Sequence, residues 1–215
     1  MGCAAHRDRS EGFNYLVLGH EAAGKTAIAL ALNGRKIEDA EPSMVLINVT
    51  EIESESRTKL TFTELGGSED YRKMWHEEFA EEYDAIVFVI DGNNTAEYLS
   101  AKRTLIDVLK SPVMEIQHIP VLVIVNKADL EVKIDVNELR ETLKTHTAGH
   151  RNYSKVFISS ATKPETLKAA FDDLYAHFHP ACVLVDSRYK DEKTHEKHSS
   201  SARSDQAVHG GEAKK

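Results

Sequence analysis

Residues 13 to 32 read FNYLVLGHEAAGKTAIALAL, and this stretch decides the fold. Its first part, FNYLVLG, is an apolar run typical of a buried strand, and AIALAL at its end favours a helix. Between the two, GHEAAGKT at 19 to 26 fits the pattern G-x-x-x-x-G-K-[ST]. A strand, this loop and a helix in that order predict backbone N–H groups that wrap phosphates at the N-terminus of a helix.

The side chains that close this loop have distinct expected roles. Lys25 is expected to reach the β- and γ-phosphates of a nucleotide, and the Thr26 hydroxyl is expected to bind Mg²⁺. The loop residues predicted to contact the nucleotide are Gly19, Ala22, Ala23, Gly24, Lys25, Thr26 and Ala27.

Apolar runs and helical stretches alternate along the rest of the chain. The sequence predicts strands at 13–19, 44–52, 59–64, 84–91, 121–126 and 155–160. It predicts helices at 25–33, 69–82, 95–110, 136–146 and 164–178, with Asn94 or Thr95 capping the third and Pro164 in the first turn of the last. ESESRT between the second and third strands has only turn length, so these two strands should form an antiparallel hairpin. The fold class predicted is α/β, with a six-stranded, mostly parallel sheet and helices on both faces.

Length and composition exclude several classes of protein. The chain has 215 residues and a formal charge of -8, which argues against a nucleic-acid partner. Cys3 and Cys182 form no disulfide or zinc framework, which indicates a reducing, intracellular location. No apolar run approaches the roughly 20 residues of a transmembrane helix, and the N-terminus lacks the apolar core of a signal peptide. The predicted organisation is an N-terminal segment at 1–11, one domain at 12–180 and a charged, disordered tail at 181–215.

A second motif indicates which base is bound. NKAD, Asn126 to Asp129, follows the apolar run VLVIV, at the carboxyl end of a predicted strand, where ligands bind in open α/β sheets. The Asp129 carboxylate can accept two hydrogen bonds from guanine N1–H and the exocyclic amine, a pair that adenine does not offer. Lys127 is expected to lie along the base plane. At another predicted strand end, Ser160, Ala161 and Thr162 are expected to direct a backbone N–H towards the guanine carbonyl.

With these motifs in place, the segment from about 12 to 180 resembles the small GTPases, and among them the ADP-ribosylation factor and factor-like (Arf/Arl) group. GHEAAGKT is similar to that group's GLDAAGKT, and ELGGSEDYRKMWHEEF is similar to its DxGGQxxxRxxWxxYF in unbroken register. The matching positions are Gly66, Gly67, Arg72, Trp75 and Phe79. Glu64 in place of the usual Asp is typical of the more divergent Arf-like members. The resemblance implies a P-loop NTPase fold of the small G-protein type.

The resemblance also assigns roles around the glycine pair. It implies that the Gly67 N–H contacts the γ-phosphate, where a side chain would obstruct the approach, and that the segment 66–82 is the second switch. It places Glu64 where an Asp steadies Mg²⁺ through a water. Ser68 stands where the group has the Gln that orients the attacking water, so slow hydrolysis is expected, with Glu69 or a partner protein supplying the missing group. The catalytic set is therefore Lys25, Gly67 and Ser68, although Ser68 fits the N-cap of a helix equally well.

The first switch is matched less regularly. EPSMVLINVTEI at 41 to 52 is similar to the group's PTIGFNVE, with Ser43 at the place of a Mg²⁺-binding Thr and Thr50 as a second candidate. Ile47, Thr63 and Glu78 fall at the places of the apolar surface that Arf proteins show their effectors. The resemblance therefore implies an effector, an exchange factor and an activating protein that bind through the switches and differ from those of Arf.

The N-terminus bears on location. Met1-Gly2-Cys3 predicts myristoylation of Gly2 and palmitoylation of Cys3, although His6 replaces the usual Ser or Thr, and an unmodified terminus remains the alternative. The expectation is a monomer that is cytoplasmic and held peripherally on a membrane if acylated.

The resemblance implies a molecular switch that binds GTP and GDP with Mg²⁺, hydrolyses GTP slowly and serves intracellular, vesicle or membrane trafficking. The first alternative is a scaffold stabilised by a guanine nucleotide that it does not hydrolyse, which Glu64, Ser68 and the irregular first switch favour. The second is an ATP-dependent P-loop kinase, for which NKAD has no role.

Overall fold

The structure, a computed structural model, describes residues 12–39, 46–53, 59–79, 83–112, 119–148 and 153–178. The chain divides into two compact units, Met1–Asp172 and Asp173–Lys215, and only 173–178 of the second unit are among the described residues. Gly2, Cys3, Ser43 and the tail at 181–215 lie outside the described residues. The predicted acylation, the predicted domain boundaries and the predicted role of Ser43 therefore stay predictions.

Six strands of the described residues form one sheet. They are β1 (Phe13–Gly19), β2 (Ile47–Glu53), β3 (Lys59–Leu65), β4 (Ala85–Asp91), β5 (Val121–Asn126) and β6 (Ser154–Ile158). The strand order is β2-β3-β1-β4-β5-β6, with β2 antiparallel to β3 and every other neighbouring pair parallel. The predicted mostly parallel sheet and its antiparallel hairpin are confirmed.

The α-helices of the described residues connect these strands. They are α1 (Lys25–Leu32), α2 (Glu69–Arg72), α3 (Trp75–Glu78), α4 (Thr95–Leu109), α5 (Val136–Thr147) and α6 (Pro164–Phe178), and a single 3₁₀ turn lies at Ile37–Asp39. Asn94 caps α4 by accepting a hydrogen bond from the Glu97 N–H at 3.2 Å, and Pro164 opens α6, as the sequence predicts. Within the described part of the chain, no helix has the length and apolar character that crossing a membrane requires.

Alternating side chains of the sheet build a core on each of its faces. On one face, Leu16 and Phe88 belong to a buried cluster with Leu105 of α4 and Leu139 of α5. On the other face, the Tyr15 ring stacks on Phe171 of α6 with their centroids 6.2 Å apart. Strands β4 and β5 are almost wholly buried because helices cover both of their faces. Because neighbouring strands are parallel, their carboxyl ends lie at the same edge of the sheet, where the connecting loops can share a ligand.

The predicted helix at 69–82 is wrong, because two short helices replace it within the described residues. The Met74 N–H bonds the carbonyl of Tyr71 at 3.0 Å, which tightens the chain into a turn between α2 and α3. This turn directs Trp75 into the core, where its Nε1–H donates to the Gly66 carbonyl at 2.9 Å. A tertiary contact therefore interrupts a segment whose local pattern favours one helix.

Several predicted strand borders also differ, by one residue at the end of β2, the end of β3, the start of β4 and the start of β6, and by more at the start of β2 and the end of β6. Strand β2 begins at Ile47, and the predicted start at 44 lies outside the described residues. Strand β6 ends at Ile158 although the prediction extends it to 160, because Ser160 turns away to bond side chains of the neighbouring loop.

Candidate functional site

The loop between β1 and α1 has a backbone shaped to hold anions. Ala22 and Gly24 have left-handed φ angles of 58° and 94°, and such residues turn successive N–H groups to one side of the chain. A left-handed alanine costs on the order of 1 kcal/mol, a strain typical of ligand-binding loops. Gly24 is required for a second reason, since a Cβ there would collide with Nδ2 of Asn126. No side chain caps α1, so the amides of its first turn are left for a ligand.

The Lys25 side chain folds back over this loop and is only 6% exposed. Its ammonium donates to the Gly19 carbonyl at 3.0 Å and to the His20 carbonyl at 3.1 Å. Burial lowers the pKa of Lys25, while the nearby Glu64 and Glu21 carboxylates oppose the shift. A buried cation with neutral partners gains energy when an anion arrives, so this geometry suits a phosphate ligand.

Thr26 and Glu64 form the pair with metal-binding chemistry. The Thr26 hydroxyl lies 2.8 Å and 2.9 Å from the two carboxylate oxygens of Glu64 at the end of β3. Burial raises the pKa of Glu64, and its contacts with Thr26, Lys25 and Asn48 act against that shift. Mg²⁺ commonly takes one or two protein oxygens and completes its shell with phosphates and waters, so these donors fit it. The described residues hold no group of three or more His, Cys, Asp or Glu arranged for a metal, a type of cage that Mg²⁺ does not need.

The other predicted hydroxyl donors do not join this pair in the described residues. Ser43 lies outside them. Thr50 of β2 lies opposite Phe62 of β3, two residue pairs further along the hairpin than Asn48 and Glu64. Asn48, by contrast, is directly opposite Glu64 and bonds its carboxylate. The similarity to PTIGFNVE covers Asn48 without giving it a role, but pairing the two strands from the turn would have placed it opposite Glu64.

Gly67 packs directly against the phosphate loop. Its carbonyl accepts the Glu21 N–H at 3.1 Å and an Arg72 guanidinium N–H at 2.6 Å. A Cβ at Gly67 would lie 2.5 Å from atoms of Gly19, His20 and Glu21, so only glycine allows this approach. The segment expected to be the second switch is therefore in contact with the backbone that is expected to hold phosphates.

Ser68 is the N-cap of α2. Its hydroxyl accepts a long hydrogen bond of 3.4 Å from the Tyr71 N–H. The structural role proposed for this serine is therefore present, and its catalytic role stays a prediction.

One amide side chain joins three of the predicted segments. Asn126, at the end of β5, is 1% exposed. Its Nδ2 donates to the Ala23 carbonyl of the phosphate loop at 2.9 Å, and its Oδ1 accepts the Ala161 N–H at 3.1 Å. The phosphate loop, the NKAD motif and the loop at 160–162 are thus held in one arrangement at the carboxyl edge of the sheet.

The residues expected to read the base lie beside Asn126. The Ser160 hydroxyl donates to Asp129 and accepts the Thr162 N–H at 3.1 Å. The bond from Ser160 is the main cause of a lowered pKa at Asp129, so the carboxylate is ionised and oriented. Lys127 has a left-handed φ of 63°, and its Nζ lies 2.7 Å from Oδ2 of Asp91 at the end of β4. The motifs do not predict Asp91 as a site residue, although its position at the end of the neighbouring strand could have indicated that it lies at the site.

The predicted effector surface needs one correction. Ile47 is 40% exposed and Glu78 is half-buried, but Thr63 is 8% exposed and its hydroxyl donates to Oδ1 of Asn14 at 3.3 Å. The Thr63 side chain is therefore buried and does not belong to an exposed surface.

Comparisons with known proteins agree with this arrangement. The model of the ADP-ribosylation factor family matches residues 4–178. ADP-ribosylation factor-like protein 3 of Saccharomyces cerevisiae is 28% identical over 174 residues, covering 77% of this chain and 85% of that protein. ADP-ribosylation factor-like protein 9 of Homo sapiens is 27% identical over 163 residues, covering 73% and 83%. The solved structure of the Arl6 BBS3 small GTPase from Trypanosoma brucei, with the bound nucleotide analogue GppNp, superposes with a TM-score of 0.66. It covers 76% of this chain and 95% of that one at 23% identity, which shows a shared fold.

Proposed function

Because the chain belongs to the ADP-ribosylation factor family, we propose that it is a guanine-nucleotide switch that binds GTP and GDP with Mg²⁺ and hydrolyses GTP slowly. The observation that carries this proposal is the Asn126 amide, which joins the phosphate loop to both segments expected to read the base. A phosphate loop alone serves many nucleotides. A phosphate loop joined to Asp129 favours guanine.

The chain's own groups account for phosphate binding. Lys25 exchanges its two carbonyl acceptors for phosphate oxygens, and the amides at the start of α1 bind the remaining charge. Thr26 and Glu64 would hold Mg²⁺, which supplies charge neutralisation between the phosphates. The phosphate-loop residues thus position the nucleotide and exclude water from one side of it.

The contact between Gly67 and the phosphate loop supports switching. The Glu21 N–H now bonds the Gly67 carbonyl, so a phosphate that takes this N–H must displace the Gly67 peptide. Arg72 bonds the carbonyl of Gly67, and Trp75 bonds that of Gly66. A shift of this peptide would therefore move α2 and α3 as well.

Trp75 offers the experiment that tests the switch. It is the only tryptophan of the chain, and it is buried against Gly66 and Phe88. We expect its emission to change in intensity or wavelength when bound GDP is replaced by a non-hydrolysable GTP analogue, because its indole bond depends on Gly66. The measurement is a fluorescence time course during exchange, with GDP-for-GDP exchange as the control. Identical spectra in the two states would contradict a switch and favour the scaffold.

Hydrolysis depends on Ser68, which is too short to orient water as Gln does. We expect Ser68→Gln to raise the single-turnover rate of GTP hydrolysis roughly tenfold, since one orienting bond worth about 1.4 kcal/mol in the transition state has that effect. The rate is measured by loading purified protein with GTP and Mg²⁺, removing the excess and following bound GDP for several hours.

Ser68→Asn is the matched control for this experiment. It retains an N-cap oxygen and adds an amide with less reach, so its rate should stay near that of the wild type. Equal rates for the wild type and Ser68→Gln would refute the assignment of slow hydrolysis to this position. Wild-type GTP that persists throughout would instead favour a partner that completes the site.

Location and partners follow from the same proposal. We place the protein in the cytoplasm, held peripherally on a membrane if Gly2 and Cys3 are acylated, with a role in membrane trafficking. Gly2→Ala should then release it from the membrane fraction. Its effector and regulators would bind through the two switch segments.

A further inference from the structure

A histidine connects the phosphate loop to α4. His20 is the second residue of GHEAAGKT, at the position where the similar motif GLDAAGKT has a leucine. Its side chain is buried, with the residue 5% exposed, yet both ring nitrogens have partners on α4. Nδ1 lies 3.1 Å from Oε2 of Glu97, and Nε2 lies 2.9 Å from Oγ1 of Thr104. A leucine could fill this space but could make neither bond.

The partners of His20 can satisfy the ring in both protonation states. The Thr104 hydroxyl also lies 3.1 Å from the Ser100 carbonyl. When the imidazole is charged, both ring N–H groups donate, to Glu97 and to Thr104, and the Thr104 proton points at Ser100. When the imidazole is neutral, Nδ1–H donates to Glu97, and Thr104 turns its proton to Nε2. Because one hydroxyl rotation separates the two states, the ring can titrate without leaving a buried polar atom unpaired.

The backbone of the same residue belongs to the phosphate loop. The His20 carbonyl accepts the Lys25 ammonium at 3.1 Å and the Ala23 N–H at 3.3 Å. A displacement of the His20 backbone would therefore move the carbonyl that accepts the Lys25 ammonium, which is expected to bind phosphates.

We propose that His20 is a positioning residue that ties the phosphate loop to α4, and that its protonation strengthens the binding of the nucleotide. This inference rests on the proposed guanine-nucleotide binding. The charged groups that face the ring are Glu97 on α4, Lys25 on α1 and Arg72 on α2. Glu97 favours the imidazolium, and the two cations oppose it. Bound phosphates would neutralise those cations and favour the imidazolium in turn.

The sign of the pH dependence follows from these groups. Burial, together with Arg72 and Lys25, lowers the pKa of His20 below 6.5, while Glu97 opposes the shift. A bound nucleotide raises the pKa of His20, so the gain in affinity is complete below the pKa of the free protein. It is lost as the pH rises through the pKa of the bound form. The affinity for nucleotide should consequently increase as the pH falls towards 6.

The test measures the Kd of GDP with Mg²⁺, by competition with a fluorescent GDP analogue, at several values between about pH 5.5 and pH 8. Wild type is compared with His20→Gln, His20→Leu, Glu97→Gln and His146→Gln. The ratio of variant Kd to wild-type Kd is taken at each pH, so that the titration of GDP itself cancels. His146 on α5 bonds the Thr142 carbonyl and serves as the control histidine.

We expect the ratio for His20→Gln to rise roughly threefold or more between about pH 8 and pH 5.5, because the nucleotide-bound wild type takes up a proton on His20 that the variant cannot bind. The ratio for His146→Gln should stay flat. Glu97→Gln should move the midpoint of the wild-type curve to lower pH, because it removes the anion beside Nδ1. A ratio for His20→Gln that is the same at every pH would mean that His20 has a purely structural role, and it would contradict the proposal that protonation of His20 strengthens nucleotide binding.

A second readout needs no variant that could fail to fold. The His20 ring resonance, followed by NMR through a pH series in nucleotide-free and GDP-bound protein, should titrate at higher pH when GDP is bound. Equal midpoints would contradict the proposal. Absence of GDP binding at every pH would instead refute the proposed function, so the two failures are distinguishable.

Discussion

Lys25→Met is expected to reduce the affinity for GDP and GTP by roughly 100-fold or more while leaving the nucleotide-free protein as stable as the wild type. Truncating one partner of a buried, hydrogen-bonded charge pair costs about 2 to 5 kcal/mol, and every 1.4 kcal/mol is about tenfold in Kd. In the nucleotide-free protein, however, the Lys25 ammonium is buried with two carbonyl acceptors, and burial lowers its pKa. Methionine fills similar space without a buried charge.

Two measurements separate the expected loss of affinity from the unchanged stability of the nucleotide-free protein. Nucleotide binding is measured by competition, and thermal unfolding is followed with and without GDP. The variant should lose the rise in unfolding temperature that a bound ligand produces. Lys36→Met alters an exposed lysine near the end of α1 and is the matched control, which should keep both properties. A Lys25→Met protein that binds GDP normally would refute the assignment of the phosphate loop.

Asp129→Asn is expected to weaken GDP binding roughly 100-fold and to improve binding of xanthosine diphosphate. Guanine offers N1–H and an exocyclic amine, both donors, and hydrogen bonds to a charged group contribute about 1.5 to 3 kcal/mol each. An asparagine turns one of the two acceptors into a donor, which opposes the amine of guanine and matches the carbonyl that xanthine has there. Ser160 can still donate to Oδ1 of the new side chain, so the loop should keep its conformation.

Asp135→Asn is the control for this exchange. Asp135 caps α5 by accepting the N–H groups of Asn137 and Glu138 at 2.9 Å, and asparagine caps helices equally well. It should therefore leave both affinities unchanged. The measurement is competition among GDP, xanthosine diphosphate and ADP. Preference of the wild type for ADP would contradict the role of NKAD in base recognition.

Features decided by local pattern were predictable from the sequence. Strand β1, the phosphate loop and the start of α1 lie where the sequence predicts them, and β5 does so to the residue. The apolar runs there are unambiguous, and the loop between them has a pattern with one known geometry. The position of Asn126 and Asp129 at a strand end follows from the same pattern.

Features decided by distant side chains were not predictable. The break between α2 and α3 depends on the bond from Trp75 to Gly66, a contact that no helical propensity contains. His20 meets Glu97 and Thr104, which are 77 and 84 residues away. Periodicity assigns each residue to a face of an element but does not say which side chain of another element it meets.

The amide of Asn126 has a consequence for the order in which the chain acquires its function. One of its hydrogen bonds joins Asn126 to Ala23, which lies 103 residues earlier in the chain, and the other joins it to Ala161. Contacts of such separation form late, because closing the long intervening chain costs entropy before any contact compensates for it. On a ribosome, the segment through α4 would lack the groups expected to read the base until β5 and the loop at 160–162 have been synthesised. We therefore expect newly made protein to acquire nucleotide only after nearly the whole domain has emerged. From then on, nucleotide present at 100 times its Kd would add about 2.7 kcal/mol to the stability of the completed fold.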